Sequence, residues 1–413
     1  MENLDTTATI TRTNRLPLQA LLTGNAISGI GDALAIVAIP WFVLATTGSP
    51  AKAGITAFFQ LIPAVLAGFF GGTFVDRLGY KRMSVFADLA SMITLSLIPL
   101  LYYTVGLRFW QLLVLVFVSA LINTPGVTAR MSLVPDVAGL AGTPLERANS
   151  AAQAIQSLAY LVGLPLAGVL IAPLGASRVL WVDAVTFGIS ALLVAAAVPS
   201  VRKESGDRGR YLQALTEGLR FSRGDRLLVS LLITLCITNF LDTPLFSVVL
   251  PVFARTRFSD PVALGLMVAG FGAGNLLGTV LYGVAGRRLP RRLTFAGAFV
   301  CVGLPFWVLA TLPALPIAGA ALFLSGLAAG PINPIGMTVL QERIPEELRG
   351  RVLGAALAFL LATASLGVLL DGYLVQQFGL RPVLIGIAAC YLLTTLSLVF
   401  NPTLHEMDRT PNQ

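Results

Sequence analysis

Long apolar runs alternate along the chain with short breaks of charged residues, Pro, Gly or Asn. A run of about 20 mostly apolar residues is long enough to cross a bilayer as an α-helix. Twelve such runs are present, at approximately 17–45, 53–75, 83–104, 110–130, 149–172, 179–198, 227–252, 262–285, 293–312, 315–339, 352–376 and 381–400. The longest polar stretch, PSVRKESGDRGRYLQALTEGLRFSRGDR over 199–226, divides them six and six. The pattern therefore predicts an N-terminal six-helix half over 1–198, a linker over 199–226, and a C-terminal six-helix half with a tail over 227–413. Within the linker, Tyr211, Leu212, Leu215, Leu219 and Phe221 fall on one side, with Glu217 and Arg220 opposite. That is the signature of an amphipathic helix at a membrane surface.

Composition turns the pattern into a class: an all-α membrane protein of twelve transmembrane helices. Only 12% of the 413 residues are charged, against roughly 25% in soluble domains, and the mean hydropathy is +0.82. Basic residues then orient the spans, because cytoplasmic loops carry the Lys and Arg excess. Of the 28, Lys52, Arg108, Arg178, Arg255, Arg257 and Arg381 fall on one side and the other 22 on the opposite side. This puts both termini in the cytoplasm of a multi-pass protein of the cell (inner or plasma) membrane. The first 15 residues are polar and show no removable signal peptide.

The net charge of +8 follows from that asymmetry and implies no nucleic-acid partner, since no basic patch is interleaved with stacking aromatics. Cys236, Cys301 and Cys390 lie inside spans without metal-ligand spacing, and the one histidine, His405, lies in the tail. No metal or cofactor is expected. The phosphate-binding G-x-x-x-x-G-K-[ST] loop of a primary pump is missing, and an enzyme's clustered His, Cys or paired carboxylates are missing too.

The halves resemble each other. Asp32 lies 210 residues before Asp242, and Gly54 and Gly72 lie 211 before Gly265 and Gly283. Pro135 matches Pro345 at 210, while Arg147, Gly163, Gly168 and Gly175 match Arg351, Gly367, Gly372 and Gly379 at 204. Two similar six-span halves joined by a polar loop are the plan of a transporter whose halves rock around a midplane site.

Gly72, Asp76, Arg77, Gly79, Lys81 and Arg82 resemble the G-x-x-x-D-R-x-G-R/K-R/K motif between spans 2 and 3 of the major facilitator superfamily, with Tyr80 at one basic position. GIGDALAIVAIPWFVLATTGSP (29–50), LVPDV with ERANS (133–150), VDAVTF (182–187), LTEGLRF (215–221) and QERIPEELRGRV (341–352) are similar to its enterobactin-exporter and macrolide-efflux branch. The resemblance covers essentially the whole chain. It implies the major facilitator fold, alternating access and secondary active export of small amphipathic organic molecules of drug, macrolide or siderophore type. The alternative is an importer of a small metabolite on the same fold or, from another class, a membrane receptor or enzyme. The resemblance also implies a cytoplasmic gate at the motif, where Asp76 finds a basic partner; Arg130, at the predicted end of span 4, is the local candidate. Arg287 stands at the position of Asp76 in the second half, with Glu342 as its candidate partner. Two antiporter motifs depart from the pattern: 110–129 holds no basic residue, and span 5 keeps only Gly163, Pro165 and Gly168. Proton coupling therefore does not come with the resemblance.

Five carboxylates fall inside the predicted spans, Asp32, Asp88, Asp183, Asp242 and Asp371, with no embedded base beside them. Intramembrane acids are costly and mark pathways. Asp32 and Asp242 are near mid-span, Asp183 is nearer the outer end of span 6, and Asp371 is in the outer half of span 11. Helical spacing aligns Asn25 and Ser28 with Asp32, and Thr234 and Thr238 with Asp242, with Asn239 alongside. Asn149, Gln153, Gln156 and Tyr160 form a stripe on span 5, Thr56 and Gln60 a shorter one on span 2, and Asn333 lies in the broken GPINPIG of span 10. These residues form either a substrate or proton pathway or interhelical hydrogen bonds. Acids without embedded bases favour a cation, a neutral compound or protons as cargo. The lipid bilayer, a small-molecule substrate and, as one option, protons are the implied partners, and a monomer is expected.

Overall fold

The computed structural model describes residues 14–200, 211–286 and 289–408. The first six membrane helices are α1 (Leu16–Thr47), α2 (Pro50–Leu78), α3 (Tyr80–Thr104), α4 (Phe109–Leu140), α5 (Leu145–Leu174) and α6 (Ala176–Ala197). After the linker helix α7 (Tyr211–Gly224), span 7 runs through α8 (Arg226–Pro244), a π-helical turn (Leu245–Val249) and α9 (Leu250–Arg257). Then come α10 (Pro261–Ala285), α11 (Arg291–Leu309), the pair α12 (Leu315–Ala329) and α13 (Ile332–Arg343), α14 (Glu346–Phe378), α15 (Leu380–Phe400) and a 3-10 helix (Pro402–Asp408). Twelve helical stretches are long and apolar enough to span a bilayer.

Local chemistry sets the boundaries. The Asp225 carboxylate accepts from the Leu227 and Leu228 amides at 2.8 and 3.2 Å, and Asp260 accepts from the Val262 amide at 2.8 Å, capping α8 and α10. Gly175 and Gly379 turn α5 into α6 and α14 into α15 at φ 81° and 82°, a conformation that favours glycine. The π turn lies between Pro244 and Pro251, which cannot donate to a regular helical ladder. Span 10 breaks at Gly330, whose carbonyl accepts from the Thr279 hydroxyl at 3.1 Å, so the interruption is satisfied by packing against α10.

The duplication appears as paired contacts. α2 packs on α14 and α5 packs on α10, joining the two sets of six helices. Both crossings are made by glycines from the repeat. A β-carbon at Gly372 would stand 2.9 Å from the Gly54 Cα, and one at Gly265 would stand 3.3 Å from the Gly168 Cα. Gly163 lies on the Ile30 backbone of α1 as Gly367 lies on the Phe240 backbone of α8. One pairing fails: Pro135 is inside α4, whereas Pro345 precedes α14 as Pro144 precedes α5.

The two crossings lie toward the end of the bundle where α1 gives way to α2. There, Val37 to Leu44 and Val248 to Ala254 are buried throughout, and this far end is closed. The linker end is different. Val127 and Met131, on the linker-side half of α4, line a cavity and are still 40% and 69% exposed.

The linker helix is docked on protein as well as amphipathic. Gly218 of α7 lies against the Arg351 backbone of α14, Glu217 pairs with Arg351, and Phe221 packs on Leu228, Leu340, Ile344 and Val352. The side chains of Tyr211, Leu212, Leu215 and Leu219 lie outside the described residues. The 3-10 helix buries Leu404 and Met407, and Arg343 reaches both Asp225 and Glu406 at 2.9 Å.

Candidate functional site

Four helices of the first half each contribute a polar stripe. α3 places Ser84, Asp88 and Ser91 on one buried side, α4 places Asn123 and Arg130 seven residues apart, and α6 does the same with Asp183 and Ser190. α1 adds Asn25, Ser28 and Asp32. The stripes converge on Arg130, whose Nη1 donates to Asp88 Oδ1 at 2.8 Å and to Ser28 Oγ at 3.3 Å, while Ser190 Oγ donates to Asp88 Oδ2 at 2.8 Å. Arg130 is 5% exposed and Asp88 0%. Gly126 permits this approach, since a β-carbon there would overlap the Ala87 side chain of α3.

This corrects two expectations. Arg130 does not end span 4 at the surface: α4 continues ten residues further, to Leu140. The guanidinium is therefore an embedded base, and its partner is Asp88. The sequence misleads because a charged residue after 20 apolar ones looks like a boundary, whereas a carboxylate on the neighbouring helix allows the charge to stay inside. Of the motif residues, Gly79 turns α2 into α3 at φ 79°, Lys81 is half-buried and Arg82 exposed. The side chains of Gly72, Asp76 and Arg77 and the whole of Arg287 lie outside the described residues. Glu342 pairs with Arg291 at 2.6 Å.

Beside the ion pair is a cavity of about 450 Å3 lined by the first six helices. Asn25, Ser28 and Asp32 (α1), Gln60 (α2), Asn123 and Arg130 (α4), Gln156 and Tyr160 (α5) and Asp183 (α6) supply its polar wall. Ile36, Ile39, Leu95, Val116, Val127, Met131 and Phe187 supply the apolar one. Asp32 is within electrostatic reach of Arg130, Asp88, Asp183 and Tyr160. One guanidinium thus serves two carboxyl groups, Asp88 by direct contact and Asp32 through space. Asp183 is 0% exposed and neither carboxyl oxygen has a hydrogen-bond partner. It lies in the far-end half of α6, as its place in span 6 implies, and it also packs against Gly31 of α1 and lines the cavity, so it is not set apart from Asp32. Depth along one helix did not show this, because the neighbour comes from another helix.

Other predicted residues are not brought together. Asp242 accepts a hydrogen bond from the Tyr391 hydroxyl of α15, and Asn239 donates to Leu235 O of its own helix at 3.0 Å. Thr234 and Thr238 likewise bond to their own helix. Asn149, Gln153 and Asn333 are exposed and do not line the cavity. Asp371 is buried on α14, outside the cavity, with Oδ2 unpartnered. Among the described residues, no group of three or more His, Cys, Asp or Glu is placed to hold a metal ion.

The sequence profile described as Major Facilitator Superfamily matches residues 21–355 and 232–412, two overlapping stretches that together span both sets of six helices. The chain belongs to the Major Facilitator Superfamily. It is 36% identical over 406 residues to the multidrug efflux pump Tap of Mycobacterium tuberculosis, covering 96% of each chain. It is 22% identical over 380 residues to macrolide efflux protein A of Streptococcus pyogenes, covering 89% of this chain and 91% of that one. Among solved structures, the nucleoside transporter NupG superposes with a TM-score of 0.74 at 15% identity, covering 93% of this chain and 98% of that one. That likeness is one of fold. As a member of the superfamily the chain is a multi-pass membrane transporter, and the cavity beside Arg130 is its candidate transport site.

Proposed function

We propose that this Major Facilitator transporter exports small amphipathic organic compounds, cationic or neutral, from the cytoplasm across the cell membrane, as a monomer working by alternating access and proton exchange. The observation that carries the reading is the cavity itself. Apolar walls accept a hydrophobic body, while two carboxyl groups on the wall, Asp32 and Asp183, against one guanidinium already paired with Asp88 favour a positive or hydrogen-bonding head over an anion. The names of the similar Tap and macrolide efflux proteins support the outward direction. The 22-to-6 distribution of basic residues supports a cytoplasmic linker end. With that orientation, the closed far end and open linker end describe a transporter facing the cytoplasm. Asp32, on the cavity wall in reach of Arg130, is the carboxylate placed to meet the cargo.

Inside-out vesicles containing the protein should accumulate cationic and neutral amphiphiles, and more so with an imposed pH gradient. Accumulation equal to that of protein-free vesicles across a panel of such compounds would remove the exporter reading. Single cysteines replacing Arg82 and Gly224 should react with an impermeant thiol reagent only after cells are permeabilised. Labelling of both from outside would invert the topology.

A further inference from the structure

Two carboxyl groups of the cavity differ in one respect that the exporter reading leaves unused. Asp32 is half-buried on the wall, whereas Asp183 is 0% exposed and has no hydrogen bond to either carboxyl oxygen. We propose that Asp183 is the group that holds the exchanged proton, and that Asp32 is the group that meets the cargo; this division of labour rests on the exporter reading above.

The space for Asp183 is made by Gly31. A β-carbon there would overlap Asp183 Oδ1 and Thr186 Oγ1, so the carboxyl group is seated in a notch of α1 one residue away from Asp32. The one donor beside it, the Thr186 hydroxyl, is engaged by the Asp183 backbone carbonyl at 2.7 Å. Among the described residues, the ionisable group in electrostatic reach of Asp183 is Asp32 on α1, around which stand Asp88 on α3, Arg130 on α4 and Tyr160 on α5. Arg130 is the one cation among them, and it is committed to Asp88 and Ser28. An ionised carboxylate with neither counter-ion nor hydrogen bond costs several kcal/mol to bury, and a carboxylic acid in the same place costs far less. Asp183 therefore carries a proton until a cation arrives beside it.

Position then gives the direction of transfer. Asp183 is seven residues from the far-end start of α6, about 10 Å at 1.5 Å per residue, whereas Asp32 is fifteen residues from the far-end terminus of α1. Water entering when the far end opens reaches Asp183 first. With the linker end open, a cation arriving beside Asp32 supplies the counter-charge that Asp183 lacks: the O–H bond of Asp183 breaks, its electron pair stays on the carboxylate, and the proton passes through water to the open linker end. The cation stays paired with Asp32.

The test uses the purified full-length protein in liposomes with tetraphenylphosphonium as the probe. Asp183→Asn, which keeps size and polarity, should abolish accumulation driven by an imposed pH gradient and should remove the pH dependence of counterflow, which needs no gradient. Asp32→Asn should lose accumulation and counterflow alike. Infrared absorption of the wild-type protein at neutral pH should show a protonated carboxyl C=O band that is absent in Asp183→Asn. Gradient-driven accumulation by Asp183→Asn at the wild-type level would overturn the proposal, as would loss of counterflow equal to that in Asp32→Asn. Should the variant fail to fold, absence of the infrared band from the wild-type protein alone would overturn it. If the wild-type protein transports no probe, the exporter reading falls while the infrared band still decides the state of Asp183.

Discussion

Replacing Arg130 by methionine tests the charge balance of the cavity most directly. Methionine keeps the apolar stem of the side chain but removes the guanidinium that donates to Asp88 at 2.8 Å and to Ser28 at 3.3 Å. Asp88, at 0% exposure, is then left with the single hydrogen bond from Ser190. Breaking a buried ion pair from one side costs about 3–5 kcal/mol, because the remaining charge stays buried without its counter-ion. The opposite change, Asp88→Asn, should cost less. The guanidinium still has Asp32 within electrostatic reach, and the Asn carbonyl can still accept from Ser190, so the loss should approach the about 1–3 kcal/mol of one unsatisfied buried polar group. In the double variant the penalties should not add, since neither charge remains to be orphaned. Thermal unfolding in detergent, followed by the fraction that stays monodisperse, should rank wild type above Asp88→Asn, Asp88→Asn above Arg130→Met, and the double variant above Arg130→Met. Wild-type stability in Arg130→Met, or a larger loss in Asp88→Asn, would refute the argument that Asp88 and Asp32 depend on one base.

Tyr391→Phe removes the donor to Asp242 and should destabilise the protein by about 1–3 kcal/mol while leaving probe affinity at the N-terminal cavity unchanged; a large affinity loss would mean that Asp242 shares the transport site. At the Asp225 cap, burial opposes ionisation, but hydrogen bonds from Arg343 and from the Leu228 and Leu227 amides outweigh it and hold the carboxyl below the usual carboxylate range. A group depressed in this way stabilises the fold above its unfolded value and loses that contribution as pH falls through the folded one. The advantage of wild type over Asp225→Asn in thermal unfolding should therefore be level from neutral pH down to about 4 and shrink in stronger acid; an advantage that grows on acidification would contradict the sign. Gly168→Leu should prevent the α5–α10 crossing from closing, and cysteines placed in the far half of the cavity should then label from outside in untreated cells; protection equal to that in wild type would show that the crossing is not the seal.

The apolar runs were legible because a bilayer imposes length and hydropathy on each helix separately, and no partner has to be known. The repeat glycines were legible for a related reason: Gly54, Gly168, Gly265 and Gly372 are needed wherever two backbones touch, and the duplication supplied each with its counterpart. Polar partnerships were harder. Asp32 and Asp242 look equivalent in sequence, yet α15 supplies Tyr391 to one, 149 residues away, while the other is left on the cavity wall. Arg130 looks like a surface residue in the sequence because its partner, Asp88, is on another helix. The heptad-like spacing of Ser84, Asp88 and Ser91 on α3 was the available signal that a buried polar seam lay opposite.

The far-end seal is made of glycine backbones, and this sets how the transporter answers to its ionic surroundings. Among the described residues, four ion pairs lie at the linker end, Arg291–Glu342, Arg343–Asp225, Arg343–Glu406 and Arg351–Glu217, and the fifth is the buried Arg130–Asp88. Among the described residues no ion pair crosses Gly54–Gly372 or Gly168–Gly265, and the polar link beside the first is the neutral hydrogen bond from Ser49 Oγ to Gln376 Oε1 at 2.9 Å. Such surfaces separate by losing dispersion contacts and gaining water, and neither step depends on screening. Ionic strength therefore acts on this protein from one side only. Salt loosens the exposed pairs under the C-terminal helices, while the rate at which the opposite mouth parts follows temperature and bilayer thickness instead.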